Sequence, residues 1–370
     1  MNAASSKVPA TPHAAAAGAR DFPGHPRTAA LVDRARALPP LRTAMIYPVS
    51  SEALGAAILA KDCGLADPVL IGPESRLEAL ARDSGLSLDG CTIVDTGEDP
   101  RRAAQAAVAL GSAGEVVALM KGSLHTDELL GAVIRRSGGL RLSGKGRRLS
   151  HVFWFDMPAV PRPIMAADCV VNIAPSLVTK RDIIQNSFDL AQALGYTLPK
   201  LAIVSAIETV NPSIPTTVEA AALCAMAERG EITGGLVDGP FGFDIAVSPA
   251  AARIKGIDSR VAGAADILLM PNLEAGNMIY KAFVYMGGAE CAGVILGATV
   301  PVILTSRADS VGSRIASCAL ASIWCASSYR TATSTSASTS ASTSASTSAP
   351  TAAAAATPAS QPQPMQDRAA

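Results

Sequence analysis

Short apolar runs alternate with longer, helix-like segments along most of this chain, and this alternation limits the folds that it can adopt. Parallel strands need a crossover connection of about a dozen residues, usually a helix. The pattern therefore predicts βαβ units and an α/β fold with a parallel sheet. In the first part, the predicted strands are 43–47, 68–72, 91–94 and 116–120, and the predicted helices are 51–60, 74–84 and 100–110.

A second unit follows a break at 135–148 that is rich in glycine and basic residues. The small apolar segment 289–297 receives no assigned element. The last helix is expected to begin after Ser310, its cap, and to end near residue 321. The predicted strands of this part are 152–155, 169–173, 201–204, 267–270 and 302–304, and the predicted helices are 180–194 and 216–229.

Both ends of the chain have low complexity. Residues 1–28 are rich in alanine and small polar residues, which favours a disordered extension, although a transit peptide stays open. Residues 331–348 repeat alanine, serine and threonine without a large apolar side chain. Such a repeat cannot build a core, so 326–370 is predicted to be a disordered tail.

Composition excludes several classes of partner. The chain has 31 basic and 31 acidic residues, so no overall charge attracts it to nucleic acid or to a membrane surface. No apolar run reaches the roughly 18 residues of a membrane helix. Its seven cysteines show no paired spacing, which indicates reduced thiols and a cytoplasmic location. Its four histidines show no metal-ligand spacing, so we expect no metal site.

The strand predicted at 302–304 ends in Thr-Ser-Arg-Ala-Asp-Ser, which places three chemically different groups together. In open α/β sheets, ligands bind beyond the carboxyl ends of the strands. Ser306 supplies a hydroxyl, Arg307 a fixed cation and Asp309 a carboxylate. These groups suit an anionic substrate that carries a carbonyl, and they are the candidate catalytic residues.

A second candidate site follows the strand 116–120. Lys121, Ser123 and Thr126 can donate to an anion, His125 lies among them, and Gly122 lets the backbone approach a ligand. The helix that begins there adds a partial positive charge. An ordinary capped βα turn explains the same residues equally well. The spacing is not that of a Walker A loop, and no dinucleotide-binding fingerprint follows any predicted strand.

Two further groups of residues, at 276–277 and at 141–148, are possible binding sites. Gly276 and Asn277 follow the strand 267–270 and are candidate substrate-binding residues. Arginine and lysine residues at 141–148 could hold a phosphorylated cofactor, although a solvated hinge between domains is the simpler interpretation.

Seven motifs occur in a fixed order and together resemble the phosphate acetyl/butyryltransferase family. The resemblance spans about residues 29–320 and is greatest to the phosphotransacetylase branch that is also found fused to a hydratase domain. The motifs are MKGSLHTD at 120, ADCVVNIAP at 167, DIIQN at 182, ETVNPSIP at 208, GGLVDGP at 234, ADILLMPNLEAGN at 265 and LTSRADS at 304.

This resemblance implies a two-lobed fold like that of the isocitrate and isopropylmalate dehydrogenases, with the active site in a cleft between the lobes. Lobe 1 would comprise 29–150 plus 291–325, and lobe 2 would comprise 151–290. The implied reaction is acyl-CoA plus phosphate giving acyl phosphate plus CoA, by direct attack in a ternary complex. The resemblance also implies a homodimer and no bound cofactor, with CoA acting as a substrate.

The resemblance assigns roles at the last strand. Ser306 would hydrogen-bond the reacting thioester, and Arg307 would bind the phosphoryl oxygens with its planar fork. In the well-studied acetyltransferase branch, a carboxylate follows the serine by seven residues, where this chain has Ser313. We therefore assign the general base to Asp309, whose alternative role is to cap the last helix.

Other functions remain open on the sequence alone. Phosphate butyryltransferase is the alternative within the family. A metal- and NAD-dependent dehydrogenase would need a convergent set of acids, and the spacing of Asp238, Asp244 and Asp266 gives no clear triad. A non-catalytic CoA-binding subunit is the third possibility.

Overall fold

The computed structural model describes residues 22–135, 137–141, 146–304 and 309–343, with side chains as far as residue 327. Within them, one sheet has eleven strands in the order β3-β2-β1-β4-β11-β10-β5-β6-β9-β7-β8. The strands are Leu41–Ile46 (β1), Ala66–Gly72 (β2), Thr92–Asp95 (β3), Ala118–Lys121 (β4), Ser150–Asp156 (β5), Ile164–Ala167 (β6), Lys200–Val204 (β7), Leu236–Phe241 (β8), Ile267–Leu269 (β9), Glu290–Leu296 (β10) and Val302–Ile303 (β11).

Helices flank this sheet and supply the crossovers that the sequence predicts. Some of them begin with a side-chain cap, for example Ser50, whose side chain accepts a hydrogen bond from Ala53 N at 3.2 Å. The helices are Pro26–Arg36 (α1), Ser51–Asp62 (α2), Glu74–Ser84 (α3), Pro100–Ala113 (α4), Thr126–Val133 (α5), Leu177–Leu194 (α6), Pro215–Glu228 (α7), Phe243–Val247 (α8), Pro249–Ile254 (α9), Leu273–Tyr285 (α10) and Val311–Thr343 (α11).

Two sets of parallel strands are joined by antiparallel strands at the middle of the sheet. The strands β2, β1, β4 and β11 run parallel on one side, and β6, β9, β7 and β8 run parallel on the other. Between them, β10 is antiparallel to both β11 and β5. The predicted α/β class is thus present with a mixed sheet, and the division into two lobes remains a prediction.

The strand β10 lies within the segment 289–297, for which the sequence predicts no element. All its residues after Glu290 are buried, so its sequence lacks the alternation of a half-exposed strand. Gly293 also weakens the strand signal, because glycine is uncommon in strands. A glycine is needed there, since a Cβ would lie 2.4 Å from the ring of His151 on β5. Small residues are therefore required by a close neighbouring strand, and they do not mark a loop.

The N-terminal prediction of disorder through residue 28 is wrong for its last residues, because α1 begins at Pro26. Its first turn is bound to Asp156, a fully buried carboxylate at the end of β5. Arg27 donates to Asp156 at 2.8 Å, and the backbone N–H of Thr28 donates to it at 2.9 Å. The His25 ring contacts the Asp156 carbonyl at 3.0 Å. These contacts are long-range, so the local sequence does not show them.

The last helix also differs from its prediction. It was expected to end near residue 321, but α11 continues to Thr343 and so includes part of the segment predicted to be disordered. No glycine or proline occurs between Gly312 and Pro350, so nothing in the sequence stops the helix. The compact unit ends at Ser328, and residues 344–370 lie outside the described residues.

Unequal strand lengths create the space for a site. In register, Ile303 of β11 pairs with Met120 of β4, and Val302 pairs with Ile295 of β10. The strands β4 and β11 end at this level, whereas β10 extends back to Glu290 and β5 extends forward to Asp156. A cavity therefore opens above the ends of the short strands, against the side of the long ones. Among the described residues, no helix combines the length and apolar character that crossing a bilayer requires.

Candidate active site

A cavity of about 390 Å³ lies at the carboxyl ends of β4 and β11. This is where parallel α/β sheets place their ligands. One side is polar and cationic, and the other is aromatic and aliphatic. The described residues that line it are Lys121, Leu124, His125, Thr126, Phe153, Val170, Asn277, Tyr280, Lys281, Leu304 and Asp309.

The turn 121–126, between β4 and α5, supplies the polar side. Lys121 is 9% exposed, and its ammonium donates to the Gly122 carbonyl at 3.4 Å. His125 is the residue that precedes α5, and its backbone N–H donates to the Glu128 carboxylate at 3.1 Å. Thr126 is the first residue of the helix. A buried ammonium beside a helix N-terminus favours an anion.

Gly122 and Ser123, two predicted residues of this turn, are not among the described lining residues but hold the turn against the end of β1. Gly122 packs against the end of β1, where a Cβ would lie 2.4 Å from the Ile46 carbonyl oxygen. The Ser123 backbone N–H donates to the Tyr47 carbonyl at 2.8 Å. The Ser123 hydroxyl is buried and has no hydrogen-bond partner among the described residues. The glycine is therefore needed for close approach to a strand, and the turn is fixed by backbone contacts.

Helix α10 lines the cavity with Asn277, Tyr280 and Lys281. Asn272 caps this helix by accepting from Ala275 N at 2.9 Å. The predicted residue Gly276 is buried, and a Cβ there would lie 2.5 Å from the Asp168 carbonyl oxygen. Its role is to let α10 approach the loop after β6.

That loop is shaped by Asp168, which is 2% exposed. Its carboxylate accepts backbone hydrogen bonds from Val170 at 2.9 Å and from Val171 at 3.0 Å. Burial raises the pKa of Asp168, and these hydrogen bonds oppose the shift. The Asn277 amide donates to the Cys169 carbonyl in the same loop at 3.4 Å. This loop therefore fixes Val170 in the cavity wall.

The carboxylate of Asp309 lies in the cavity and is held by Tyr280. The Tyr280 hydroxyl donates to Asp309 Oδ1 at 2.6 Å. Burial raises the pKa of Tyr280 above its usual value, and the hydrogen bond to Asp309 raises it further. The first turn of the last helix is capped by Ser310, whose Oγ accepts from Ser313 N at 2.8 Å. Asp309 precedes this cap and contributes its carboxylate to the cavity lining.

An aromatic pair forms the apolar side. The rings of Phe153 and Tyr280 are stacked with centroids 4.3 Å apart and an interplanar angle of 5°. His151 lies behind Phe153, at a centroid distance of 4.2 Å. Burial lowers the pKa of His151 to about 3, and the nearby Leu304 backbone opposes this shift. Neither ring nitrogen reaches a hydrogen-bond partner of acceptable geometry among the described residues, so we expect a neutral ring.

The structure brings five predicted site residues to one cavity: Lys121, His125, Thr126, Asn277 and Asp309. The predicted residues Ser306 and Arg307 lie outside the described residues, which resume at Asp309. The sequence analysis missed Tyr280 and Phe153. Tyr280 follows Asn277 by three residues and shares its helix face, a signal that was present. Phe153 gave no such signal, because it is one apolar residue of a buried strand.

The other candidate groups serve the fold. Arg147 pairs with Asp189, and the Arg148 backbone N–H donates to Asp182 at 3.0 Å, while Lys145 lies outside the described residues. Among the described residues, no three histidine, cysteine or acidic side chains form a group that could hold a metal ion. The three acids weighed for a dehydrogenase have separate partners: Asp238 accepts from Ser259, Asp244 pairs with Lys255, and Asp266 accepts from Lys200 N.

Comparisons with known proteins point to one family. A family model described as phosphate acetyl/butaryl transferase matches residues 101–322. A phosphate acetyltransferase from Rhizobium meliloti is 49% identical over 296 residues, which are 80% of this chain and 92% of that protein. A phosphate butyryltransferase from Clostridium acetobutylicum is 40% identical and covers 71% of this chain and 86% of its own length.

Structural comparison agrees with the sequence comparison. The crystal structure of a branched-chain phosphotransacylase from Enterococcus faecalis V583 matches with a TM-score of 0.67 and 30% identity. The match covers 77% of this chain and 99% of that one. The likeness confirms the predicted α/β fold class.

Proposed function

This chain belongs to the phosphate acetyl/butyryltransferase family, and we propose that it transfers an acetyl group between CoA and phosphate in the cavity between Lys121 and Asp309. It is an acyltransferase, and its relatives at 45–49% identity are phosphate acetyltransferases. The observation that carries the proposal is the meeting of a buried lysine, a helix N-terminus and a tyrosine-bound carboxylate in one cavity. An anion site and a proton acceptor are the two things that this reaction requires.

The cationic side of the cavity suits phosphate or the phosphoryl group of acetyl phosphate. The ammonium of Lys121 and the N-terminal amides of α5 both favour negative charge. Arg307 is proposed to bind the phosphoryl oxygens, and Ser306 to hydrogen-bond the reacting carbonyl, as the family resemblance implies. Donors of this kind stabilise the anionic tetrahedral intermediate, each by roughly 3–4 kcal/mol.

Asp309 is proposed as the general base. A free thiol has a pKa of about 8.5, so the CoA thiol must lose a proton before it attacks acetyl phosphate. Asp309 accepts that proton, the thiolate attacks the carbonyl carbon, and the tetrahedral intermediate collapses as the C–O bond to phosphate breaks. The proton then passes to the departing phosphate or to water. In the opposite direction, phosphate attacks the thioester and the thiolate leaves.

The remaining features of the proposal follow the family. We propose that acetyl-CoA is preferred and that butyryl-CoA is the alternative substrate. We also propose a homodimer, a cytoplasmic location and no bound cofactor, with CoA as a substrate. The seven cysteines are free thiols, which supports a reducing compartment.

The test is a substrate panel. Purified protein is incubated with acetyl-CoA or butyryl-CoA, with and without phosphate or arsenate, and free thiol is measured. Release of CoA that depends on phosphate, and continuous loss of acetyl-CoA with arsenate, support the transferase. Reduction of NAD would support a dehydrogenase instead. Tight CoA binding without either activity would favour a regulatory subunit.

Replacing Asp309 by Asn tests the base. We expect turnover to fall about a hundredfold, the low end for loss of a general base. The melting temperature should change little, because the amide keeps an acceptor for Tyr280. Asp33→Asn is the matched control, since Asp33 is 73% exposed and distant in sequence. Unchanged turnover in Asp309→Asn would remove Asp309 from the mechanism.

A further inference from the structure

A second carboxylate lies behind the cavity, at the first turn of α11. Glu290 begins β10, and its Oε1 accepts a hydrogen bond from the Ser310 hydroxyl at 2.9 Å. The same oxygen accepts from the Ser313 hydroxyl. Ser310 Oγ in turn accepts from Ser313 N. One side chain of the long strand therefore binds both ends of the first helical turn.

The chain makes room for this contact. A Cβ at Gly312 would lie 2.7 Å from Glu290 Oε2 and 3.1 Å from the ring of Phe22. Any larger residue at 312 would push the carboxylate away from the helix. The N-terminus of a long helix also favours a negative group, which adds to the two hydroxyl contacts.

The contact is linked to the cavity through buried neighbours. The Cys291 thiol lies 3.4 Å from Ser313 Oγ. Burial raises the pKa of Cys291 to about 12, the Ser313 hydrogen bond lowers it, and the carboxylates of Asp309 and Glu290 both raise it. This thiol therefore contacts the same serine that Glu290 holds. Glu290 is not among the described residues that line the cavity.

We propose that Glu290 is a positioning residue for acyl transfer. Its carboxylate holds Ser310 and Ser313 and thereby fixes the start of α11, immediately after Asp309. With the start of the helix fixed, Asp309 stays within hydrogen-bond distance of Tyr280 and faces the cavity. The proposal rests on the proposed function, because it assigns Glu290 the task of placing the general base.

The test removes the charge of Glu290 and the hydroxyl of Ser313, separately and together. Glu290→Gln keeps one acceptor oxygen but loses the charge, so we expect kcat to fall about tenfold while the KM for each substrate changes less than about twofold. Ser313→Ala removes one of the two hydroxyls that Glu290 holds. Because both substitutions break the same contact, we expect the double variant to lose less kcat than the product of the two single losses.

The matched control is Glu78→Gln, which removes the charge of an exposed glutamate and should leave kcat unchanged. Thermal unfolding is measured for all variants, because a role in stability alone would lower the melting temperature without changing kcat. Wild-type kcat in Glu290→Gln, or losses of kcat that multiply fully in the double variant, would overturn the proposal.

A crystal structure of Glu290→Gln separates this inference from the proposed function. We expect the distance between Tyr280 Oη and Asp309 Oδ1 to increase beyond the 2.6 Å of the wild type. An unchanged distance would refute the positioning role even if the wild type showed no acyl transfer. A lengthened distance with an inactive wild type would refute the proposed function while the contact itself stands.

Discussion

The cavity has two kinds of neighbour, and they differ in how the chain brings them together. The turn 121–126 is one short stretch of sequence that carries its lysine, glycine and threonine within six residues. The buried support, which we define as Asp156 and His151, contacts residues far away in the chain. Thr28 and Asp156, for example, are separated by 128 positions. The turn therefore brings its residues together through local sequence, whereas the buried support depends on long-range contacts.

This comparison predicts that the buried support affects stability most. Replacing Asp156 by Ala would leave the donors of Arg27 and Thr28 without their buried acceptor. We expect a loss of about 3–5 kcal/mol in the free energy of unfolding, the usual result of breaking a buried charge pair. Urea unfolding at pH 7 measures it. Asp67→Ala is the control, because its 2.6 Å pair with Arg42 is exposed and should contribute about 0–1 kcal/mol. Equal losses of stability in both variants would contradict the expected difference between the buried and the exposed carboxylate.

His151 should make stability depend on pH. Its folded pKa of about 3 lies below the value of about 6.5 for a free histidine, so between these values the unfolded chain binds more protons. The free energy of unfolding should therefore fall as pH falls, and this group should remove about 2 kcal/mol at pH 5.

The measurement is urea unfolding at pH 7 and pH 5 for the wild type and for His151→Leu. The variant should lose less stability on acidification than the wild type, by about 2 kcal/mol. Leu198→Ala, which removes no titratable group and lies at a position that is 48% exposed, serves as the control and should show the pH dependence of the wild type. An identical pH dependence in the wild type and His151→Leu would show that the ring titrates normally.

The smallest effect is expected at the cavity wall. Tyr280→Phe keeps the ring stacked on Phe153 and removes only the hydroxyl that donates to Asp309. We expect kcat to fall about fivefold, equivalent to about 1 kcal/mol, with little change in melting temperature. Tyr285→Phe, on the same helix and 69% exposed, is the control. A large loss of stability without loss of kcat would show that Tyr280 stabilises the fold and has no role in catalysis.

The sequence predicted those features that depend on neighbouring residues. Most strands and crossover helices followed from local periodicity, and Lys121 and Thr126 followed from their place after a strand. The strand predicted at 169–173 is wrong, because the strand of this region is β6, which ends at Ala167. The strand β10 was missed because burial on both faces removes the alternation that identifies a strand. Glu290 and Asp156 were not predicted, because a single carboxylate in an apolar run shows nothing about its partners. Asp156 and Arg27 are 129 positions apart, and Glu290 and Ser313 are 23 positions apart. The positions of Ser306 and Arg307 remain predictions.

The bond between Asp156 and the first turn of α1 has a practical consequence for anyone who shortens this protein. Composition suggests a trimmed fragment that begins at residue 29, since everything before it has low complexity. Such a fragment would lack Arg27 and Thr28 and would leave a fully buried carboxylate without these donors. Deletion from the N-terminus should therefore stop before Phe22, whose side chain is 5% exposed.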